Sequence, residues 1–325
     1  MTIELFKNEN PYLPADNILQ AAEKGLEVLN RYSKSASLNA LKKQLGKYNN
    51  ISPDRIVLSH GSDLLLREVI NIFSNDRNII RFSPSFFHVS QYAINQSIKL
   101  INIKLSPPDF TINSGLLLSQ LNEPTLIVID NPNNPTGKLM LNDNLVEKIL
   151  QNKNVLLLVD EAYYEFSGKS FVNLIEKYPN LAITRTMDKA FSLAGLRFGY
   201  LLMGDYFKEH FKDFPSYLAT PSIFAAIEAL KNKEYMVQNV KKILFEVKKI
   251  EDNLLKIGIQ YFSGHANFIL VKTEIPDFAI KLKKAGVLVR DLSDEWLNGY
   301  YRISVGLPEE NEILLSMIKK IKNNA

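Results

Sequence analysis

Short apolar segments alternate with helical patterns from about residue 56 to residue 205, and this alternation constrains the fold more than any other feature of the chain. Strands that are apolar along their whole length are buried on both faces, as happens when helices cover both sides of a largely parallel sheet. We therefore predict an α/β fold in which a mostly parallel seven-stranded sheet is sandwiched by helices. The predicted strands lie at residues 56–58, 79–82, 99–104, 125–129, 155–159, 182–184 and 200–203.

A different pattern follows the long helical region that begins after Pro221 and extends to about Lys256. It consists of a strand (267–272), a helix (276–284), two strands (287–290 and 301–305) and a last helix (309–321). We predict that this region forms a smaller α+β domain. The N-terminal thirty residues contain no predicted strand and are expected to pack against it. The expected large domain covers residues 31–230, and the expected small domain combines residues 1–30 with residues 231–325.

Composition excludes several classes of protein. The chain of 325 residues has no apolar run of the roughly 20 residues that a membrane span needs, so we expect no membrane partner. Its first residues lack the features of a secretory signal, which favours a cytoplasmic location. The absence of cysteine and the scatter of the four histidines argue against disulfides and metal centres. The net charge of +4 is spread over helical faces, so we expect no nucleic-acid partner.

Two turns at the ends of predicted strands are suited to binding a ligand. The first strand leads through Gly61 into a helix, whose free N–H groups and positive dipole end can bind a phosphate near Ser62 and Asp63. A later strand leads into the loop DNPNNPTG, which two prolines make rigid. This loop presents the Asn134 amide at the carboxyl end of a strand, where open α/β sheets bind their ligands.

Charged residues in apolar surroundings provide a second set of candidates. Asp160 ends a fully apolar strand, and a buried carboxylate there requires a cationic ligand atom or an arginine. Lys189 lies among small and apolar residues, where loss of hydration lowers the pKa of an amine and favours its nucleophilic neutral form. Arg290 and Arg302 lie on neighbouring predicted strands, and two guanidinium groups suit carboxylate and phosphate binding.

Together, these segments resemble the pyridoxal-phosphate-dependent class I/II aminotransferases of fold type I, most closely the histidinol-phosphate aminotransferase group. The resemblance rests on the Asn-Pro-Thr-Gly turn at Asn134, on Asp160, and on the spacing of Lys189 and Arg197. It covers most of the chain. It implies a pyridoxal 5′-phosphate cofactor and a homodimer.

The resemblance also implies roles for residues around the cofactor ring. Lys189 would hold the cofactor as a Schiff base and move the proton between the substrate and the cofactor. Asp160 would pair with the pyridine nitrogen and keep it protonated, which makes the ring a better electron sink. Asn134 and Tyr163 would bond to the phenolic oxygen of the ring. Phe86 occupies the position where the family stacks an aromatic side chain on the ring.

For the cofactor phosphate, the resemblance implies a site made of Ser62, Asp63 and Arg197, with Tyr32 reaching it from the other subunit. The residue before the lysine departs from the family pattern, because Asp188 stands where the family usually has a serine. A carboxylate at this position would repel the phosphate unless Arg185 or Arg197 screens its charge.

For the substrates, the resemblance implies that Arg302 binds a carboxylate. Arg290, assisted by Asn10 and Tyr12, resembles the group that binds a substrate phosphate. The implied reaction transfers an amino group between L-histidinol phosphate and 2-oxoglutarate in histidine biosynthesis, giving imidazole-acetol phosphate and glutamate.

Three alternatives remain open at this stage. A phospho-amino-acid decarboxylase of the threonine-phosphate type would share the same lysine and arginines, because no motif determines which bond to the α-carbon breaks. An aromatic or broad-specificity aminotransferase is the second alternative, since the sequence does not locate the part of the pocket that binds the imidazole. The third is a cofactor-binding regulator without turnover, which the retained Lys189 disfavours.

Overall fold

The computed structural model describes residues 2–324, which form two sheets flanked by helices. The strands are β1 (Ile3–Leu5), β2 (Ile56–Ser59), β3 (Asn78–Ser83), β4 (Leu100–Lys104), β5 (Thr125–Asp130), β6 (Val155–Asp160), β7 (Leu181–Thr186), β8 (Gly199–Met203), β9 (Gln260–Phe262), β10 (Phe268–Lys272), β11 (Val287–Asp291) and β12 (Tyr300–Ser304). The α-helices are α1 (Asp16–Leu26), α2 (Ser35–Asn49), α3 (Ser62–Phe73), α4 (Phe87–Asn95), α5 (Ser114–Ser119), α6 (Asp143–Gln151), α7 (Tyr164–Ser167), α8 (Asp205–Phe211), α9 (Thr220–Lys231), α10 (Lys233–Ile257), α11 (Phe278–Lys284) and α12 (Pro308–Asn323).

The larger sheet has seven strands in the order β2-β8-β7-β6-β5-β3-β4. Only β8 runs antiparallel to its neighbours β2 and β7, and the other pairs are parallel. Every residue of β5 and β6 is buried, because helices pack on both faces of the sheet. The predicted fold class is therefore confirmed, and each of the seven predicted strands lies at its expected place.

The register of the central strands brings polar residues together at one edge of this sheet. Asp130, the last residue of β5, pairs with Asp160, the last residue of β6. Asp160 in turn pairs with Thr184 of β7. Because these strands are parallel, their carboxyl ends lie side by side, and the loops that follow them border the same space.

The smaller sheet has the order β1-β11-β12-β10-β9. The prediction that the N-terminal residues contain no strand is wrong, because β1 pairs in parallel with β11. Three residues are too few to show the alternation that identifies a strand in a sequence. Helix α1 packs on α9, so closely that a Cβ atom on Gly25 would lie 2.5 Å from Cα of Pro221. The boundaries of the two domains stay a prediction.

One close contact joins the two sheets through their loops. Gly137 ends the DNPNNPTG loop with a φ of 70°, and its carbonyl oxygen accepts a hydrogen bond of 2.6 Å from the N–H of His265. A Cβ atom on Gly137 would lie 2.9 Å from Cα of Gly264. Glycine is thus required both by the positive φ and by the approach of the other backbone. None of the helices within residues 2–324 combines the length and apolar character needed to cross a bilayer.

Candidate active site

A cavity of about 640 Å³ lies where the carboxyl ends of the central strands face the smaller sheet. Ten of the thirteen site residues expected from the sequence line this cavity. They are Ser62, Asp63, Phe86, Asn134, Asp160, Tyr163, Lys189, Arg197, Arg290 and Arg302. Residues from both sheets contribute, so the cavity exists only when the two parts of the chain are folded against each other.

Asp160 is a buried carboxylate without a cationic hydrogen-bond partner in the described part of the chain. The Thr184 hydroxyl donates a hydrogen bond of 2.8 Å to its Oδ1. The pKa of Asp160 is raised to about 7, mainly by burial; the neighbouring charge of Asp130 also raises it, whereas the hydrogen bond from Thr184 lowers it. The arginine that the sequence allowed as a partner is absent there, so the site fits a ligand with a protonated nitrogen.

Asp130 organises the loop that carries Asn134. Its Oδ2 accepts a hydrogen bond of 2.7 Å from the backbone N–H of Asn134, and its Oδ1 accepts one of 2.7 Å from the hydroxyl of Ser85. The Asn134 side-chain oxygen accepts a hydrogen bond of 2.6 Å from Arg302. Asp130 and Ser85 both line the cavity and were missed as site residues, although Asp130 opens a motif that the sequence singled out.

The phenol of Tyr163 is held by Asn8, another cavity residue that the sequence did not identify as part of the site. Asn8 Nδ2 donates a hydrogen bond of 2.9 Å to the Tyr163 oxygen, across 155 positions of sequence. Ser304 holds Asn8 in turn, because its hydroxyl bonds both to the N–H and to Oδ1 of Asn8. Burial raises the pKa of Tyr163 to about 12, so its hydroxyl remains protonated at neutral pH.

Lys189 follows β7 in a tight loop, and its amine reaches the cavity. Its Nζ donates a hydrogen bond of 3.1 Å to the backbone oxygen of Lys7. The pKa of Lys189 is lowered to about 8, mainly by burial; Arg302 and Arg197 also lower it, whereas Asp188 raises it. A substantial fraction of the amine is thus neutral near physiological pH, in line with the desolvation expected from the sequence.

Asp63 and Asp188 share the guanidinium group of Arg197 at the start of α3. Arg197 Nη2 donates a hydrogen bond of 2.8 Å to Asp63 Oδ1, and Nη1 pairs with Asp188 Oδ2. Gly61 permits this packing, since a Cβ atom there would lie 2.7 Å from Nη2. Of the two arginines expected to screen Asp188, Arg197 does so. Arg185 is instead buried and bonds at 2.8 Å to Glu161.

Arg290 and Arg302 lie opposite each other in the register of β11 and β12. Arg302 pairs with the backbone oxygen of Phe6, and its Nε is buried without a hydrogen-bond partner in the described residues. Burial lowers the pKa of Arg302 to about 10. Arg290 bonds at 2.7 Å to Asp294, which also lines the cavity. The two guanidinium groups predicted to be near each other are therefore neighbours.

Three expected site residues lie outside the lining of this cavity. Asn10 is adjacent to it, because its side-chain amide donates a hydrogen bond of 3.0 Å to the backbone oxygen of Ala190. Tyr12 follows on the same turn, where its ring packs against Lys242. Tyr32 is 88% exposed. The roles predicted for these three residues stay predictions, and residues 2–324 contain no cluster of candidate metal ligands.

Comparisons with known proteins agree with this geometry. The family model described as aminotransferase class I and II matches residues 1–318. The histidinol-phosphate aminotransferase of Sulfurisphaera tokodaii is 36% identical over 333 residues, which cover 99% of this chain and 91% of that protein. The enzyme of the same name from Thermococcus gammatolerans is 33% identical over 323 residues, covering 98% of this chain and 92% of the relative.

The solved structures lead to the same family. The crystal structure of the histidinol-phosphate aminotransferase from Clostridium acetobutylicum superimposes with a TM-score of 0.90 at 26% identity, and the match covers 99% of this chain and 100% of that one. The matches to the family model and to these relatives extend over nearly the whole chain, including both sheets and the cavity between them. This chain belongs to the class I and II aminotransferase family.

Proposed function

We propose that this aminotransferase moves the amino group of L-histidinol phosphate to 2-oxoglutarate with the help of pyridoxal 5′-phosphate. The observation that carries the proposal is the pairing of Arg290 with Arg302 on the wall of the cavity. Two adjacent guanidinium groups provide sites for a phosphate and for a carboxylate, the anionic groups of the two substrates. The relatives named for this reaction support the choice of amine.

The residues of the cavity fit the cofactor at both of its ends. Asp160, buried beside other carboxylates, suits a protonated pyridine nitrogen. Arg197 and the start of α3 at Ser62 suit the phosphate, and Asn134 and Tyr163 suit the ring hydroxyl. When bound, pyridoxal phosphate supplies an aldehyde that takes up the amino group and a ring that withdraws electrons.

Side chains of the protein attach the cofactor, move a proton and orient the substrate. The neutral amine of Lys189 would hold the cofactor covalently and would then take the proton from the α-carbon of the substrate. Arg302 orients the carboxylate of 2-oxoglutarate, and its hydrogen bond to Asn134 couples that position to the loop at the carboxyl end of β5. The low exposure of Asp160 and Tyr163 keeps water away from the cofactor ring.

Arg290 is the residue that favours a phosphorylated amine over a plain amino acid. Its side chain faces the cavity, as this interpretation requires. In the free enzyme it bonds to Asp294, a half-exposed partner that a phosphate can replace. Asn10 and Tyr12 lie on the turn next to Lys189 and assist from that side.

Absorbance spectroscopy of the purified enzyme tests the proposal. We expect L-histidinol phosphate to convert bound pyridoxal phosphate to pyridoxamine phosphate, and 2-oxoglutarate to reverse the change. Release of carbon dioxide from O-phosphothreonine without a keto acid would instead identify a decarboxylase. Faster conversion by aromatic amino acids than by histidinol phosphate would identify a broad-specificity enzyme.

The proposal includes a homodimer in the cytoplasm. Tyr32 is exposed beside Tyr217, with ring centroids 6.1 Å apart, which leaves its hydroxyl free to reach the site of a second subunit. Leu13 and Leu29 are also strongly exposed in the same N-terminal segment, as expected for a surface that a partner covers. Sedimentation of the purified enzyme as a monomer would contradict this assembly.

A further inference from the structure

Arg197, the guanidinium group that would bind the cofactor phosphate, already has two anionic partners. One guanidinium group faces two carboxylates, Asp63 and Asp188, and both bond to it directly. Other charged or titratable groups close to this cluster are Lys189, next in the chain, His88 of α4, and Arg67, one turn beyond Asp63 on α3. Burial lowers the pKa of His88 below its ordinary value of 6.5, so His88 is mostly uncharged at neutral pH, whereas Lys189, with a pKa of about 8, is still largely charged. A phosphate that binds Arg197 therefore lies beside two carboxylates and competes with both of them for the same guanidinium group.

Asp188 is the carboxylate whose surroundings allow it to become neutral. Its side chain is 6% exposed, whereas that of Asp63 is 28% exposed and can keep its charge hydrated. The N–H of Phe198 donates a hydrogen bond of 3.0 Å to Asp188 Oδ1 and fixes the carboxyl group in place. Burial raises the pKa of Asp188 against the effect of Arg197. Its other oxygen points at the guanidinium group that the phosphate would engage.

We propose that Asp188 takes up a proton when the cofactor phosphate binds and then donates a hydrogen bond to it. Binding of the phosphate releases Arg197 from Asp188, because the dianion is the stronger partner. The protonated carboxyl group then supplies the hydroxyl donor that a serine would provide. Cofactor binding is thereby linked to proton uptake and weakens as the pH rises. This inference rests on the proposed cofactor site but not on the identity of the amine.

Calorimetric titration of the cofactor-free full-length enzyme with pyridoxamine 5′-phosphate tests the inference. This probe lacks the aldehyde, so the covalent chemistry of Lys189 does not enter. Asp188→Asn imitates the protonated side chain, since its amide can accept from Phe198 and donate to the phosphate. Titrations in two buffers with different ionisation enthalpies count the protons taken up. Asp76→Asn, in an exposed turn outside the cavity, is the matched control.

We expect the wild type and Asp76→Asn to take up about one proton more than Asp188→Asn. The Kd of the wild type and the Kd of Asp76→Asn, each divided by the Kd of Asp188→Asn, should then rise with pH, by up to about tenfold per pH unit. Equal proton uptake by all three proteins would overturn the inference, as would weaker binding by Asp188→Asn at every pH. Asp188→Ser serves as the second variant if thermal unfolding shows that Asp188→Asn is not folded. Failure of all the proteins to bind the probe would overturn the cofactor site as well.

Discussion

Asp160 is buried at the end of β6, where the Thr184 hydroxyl is a weaker partner than the cation that a carboxylate needs. Its pKa is about 7 in the folded protein, against the ordinary aspartate value of 3.8 that applies to the unfolded chain. The group therefore favours the folded state most at low pH, and this contribution is lost as the pH rises from about 4 through 7. At higher pH the ionised Asp160 therefore destabilises the cofactor-free enzyme, and a cationic group of the bound cofactor would remove this destabilisation.

Replacing Asp160 with asparagine should consequently stabilise the cofactor-free enzyme while abolishing amino transfer. A difference of about three pKa units corresponds to about 4 kcal/mol, so we expect a gain of about 2 to 4 kcal/mol at pH 8 and a smaller gain at pH 5. Urea unfolding at the two pH values measures the free energies. A variant that is less stable than the wild type at pH 8 would show that the carboxylate has a compensating partner.

Lys189 should be essential for turnover but not for cofactor recognition. We expect Lys189→Ala to lose about 10⁴-fold in kcat or more, since it removes both the covalent attachment and the proton carrier. Lys189→Arg keeps the positive charge without a nucleophilic amine and should be equally inactive. Both variants should still bind pyridoxamine 5′-phosphate through Asp160 and Arg197. Near-normal kcat in either variant would remove Lys189 from the mechanism.

At this scale the sequence predicts residues whose chemistry is unusual for their surroundings. Asp160 and Lys189 stand out because charges in apolar runs are rare, and the structure places both in the cavity. Asn8 and Ser85 do not stand out, because an amide or a hydroxyl is common in a loop. Their importance comes from partners such as Tyr163, 155 positions away from Asn8, and only the folded chain reveals such contacts.

Among the elements, the loop after β5 depends on glycine at position 137. Gly137→Ala would introduce both a strained positive φ of 70° and a Cβ atom 2.9 Å from Cα of Gly264. We expect a loss of about 2 to 4 kcal/mol in stability and a lower kcat/KM, because the loop would shift Asn134. Urea unfolding and steady-state kinetics provide the two measurements.

Gly168 offers a matched control for that substitution. Its φ of 64° is nearly the same, yet no atom lies within 4 Å of the Cβ that alanine would add. Gly168→Ala should therefore cost only the backbone strain, about 1 to 2 kcal/mol, and leave kcat/KM unchanged. Equal effects of the two alanines on stability and kinetics would show that the approach of Gly264 does not matter.

Elements long enough to show a periodicity are the ones that the sequence predicts. The strands β5 and β6 consist of apolar residues up to their last position, so the pattern identifies them and their ends. Strands β1 and β9 have only three residues each, and the sequence does not predict them, since their pairing is decided by the strands beside them. The order of strands within each sheet likewise depends on contacts between distant segments, for which local patterns carry no information.

For the molecule as a whole, the proposed dimer means that each active site contains residues of both chains. If Tyr32 serves the site of the partner subunit, a heterodimer of Tyr32→Ala and Lys189→Ala chains contains one intact site, with Lys189 from one chain and Tyr32 from the other. Two different affinity tags allow this heterodimer to be purified. It should have about half the activity of the wild-type dimer at a cofactor concentration that limits Tyr32→Ala.

The two parent homodimers are the controls for this complementation. Lys189→Ala should be inactive at any cofactor concentration, whereas Tyr32→Ala should recover activity when pyridoxal phosphate is added in excess, because only one contact to the phosphate is lost. If Tyr32 instead served the site of its own chain, neither site of the heterodimer would be intact. Its activity would then not exceed half of that of the Tyr32→Ala homodimer, and the shared site would have to be abandoned.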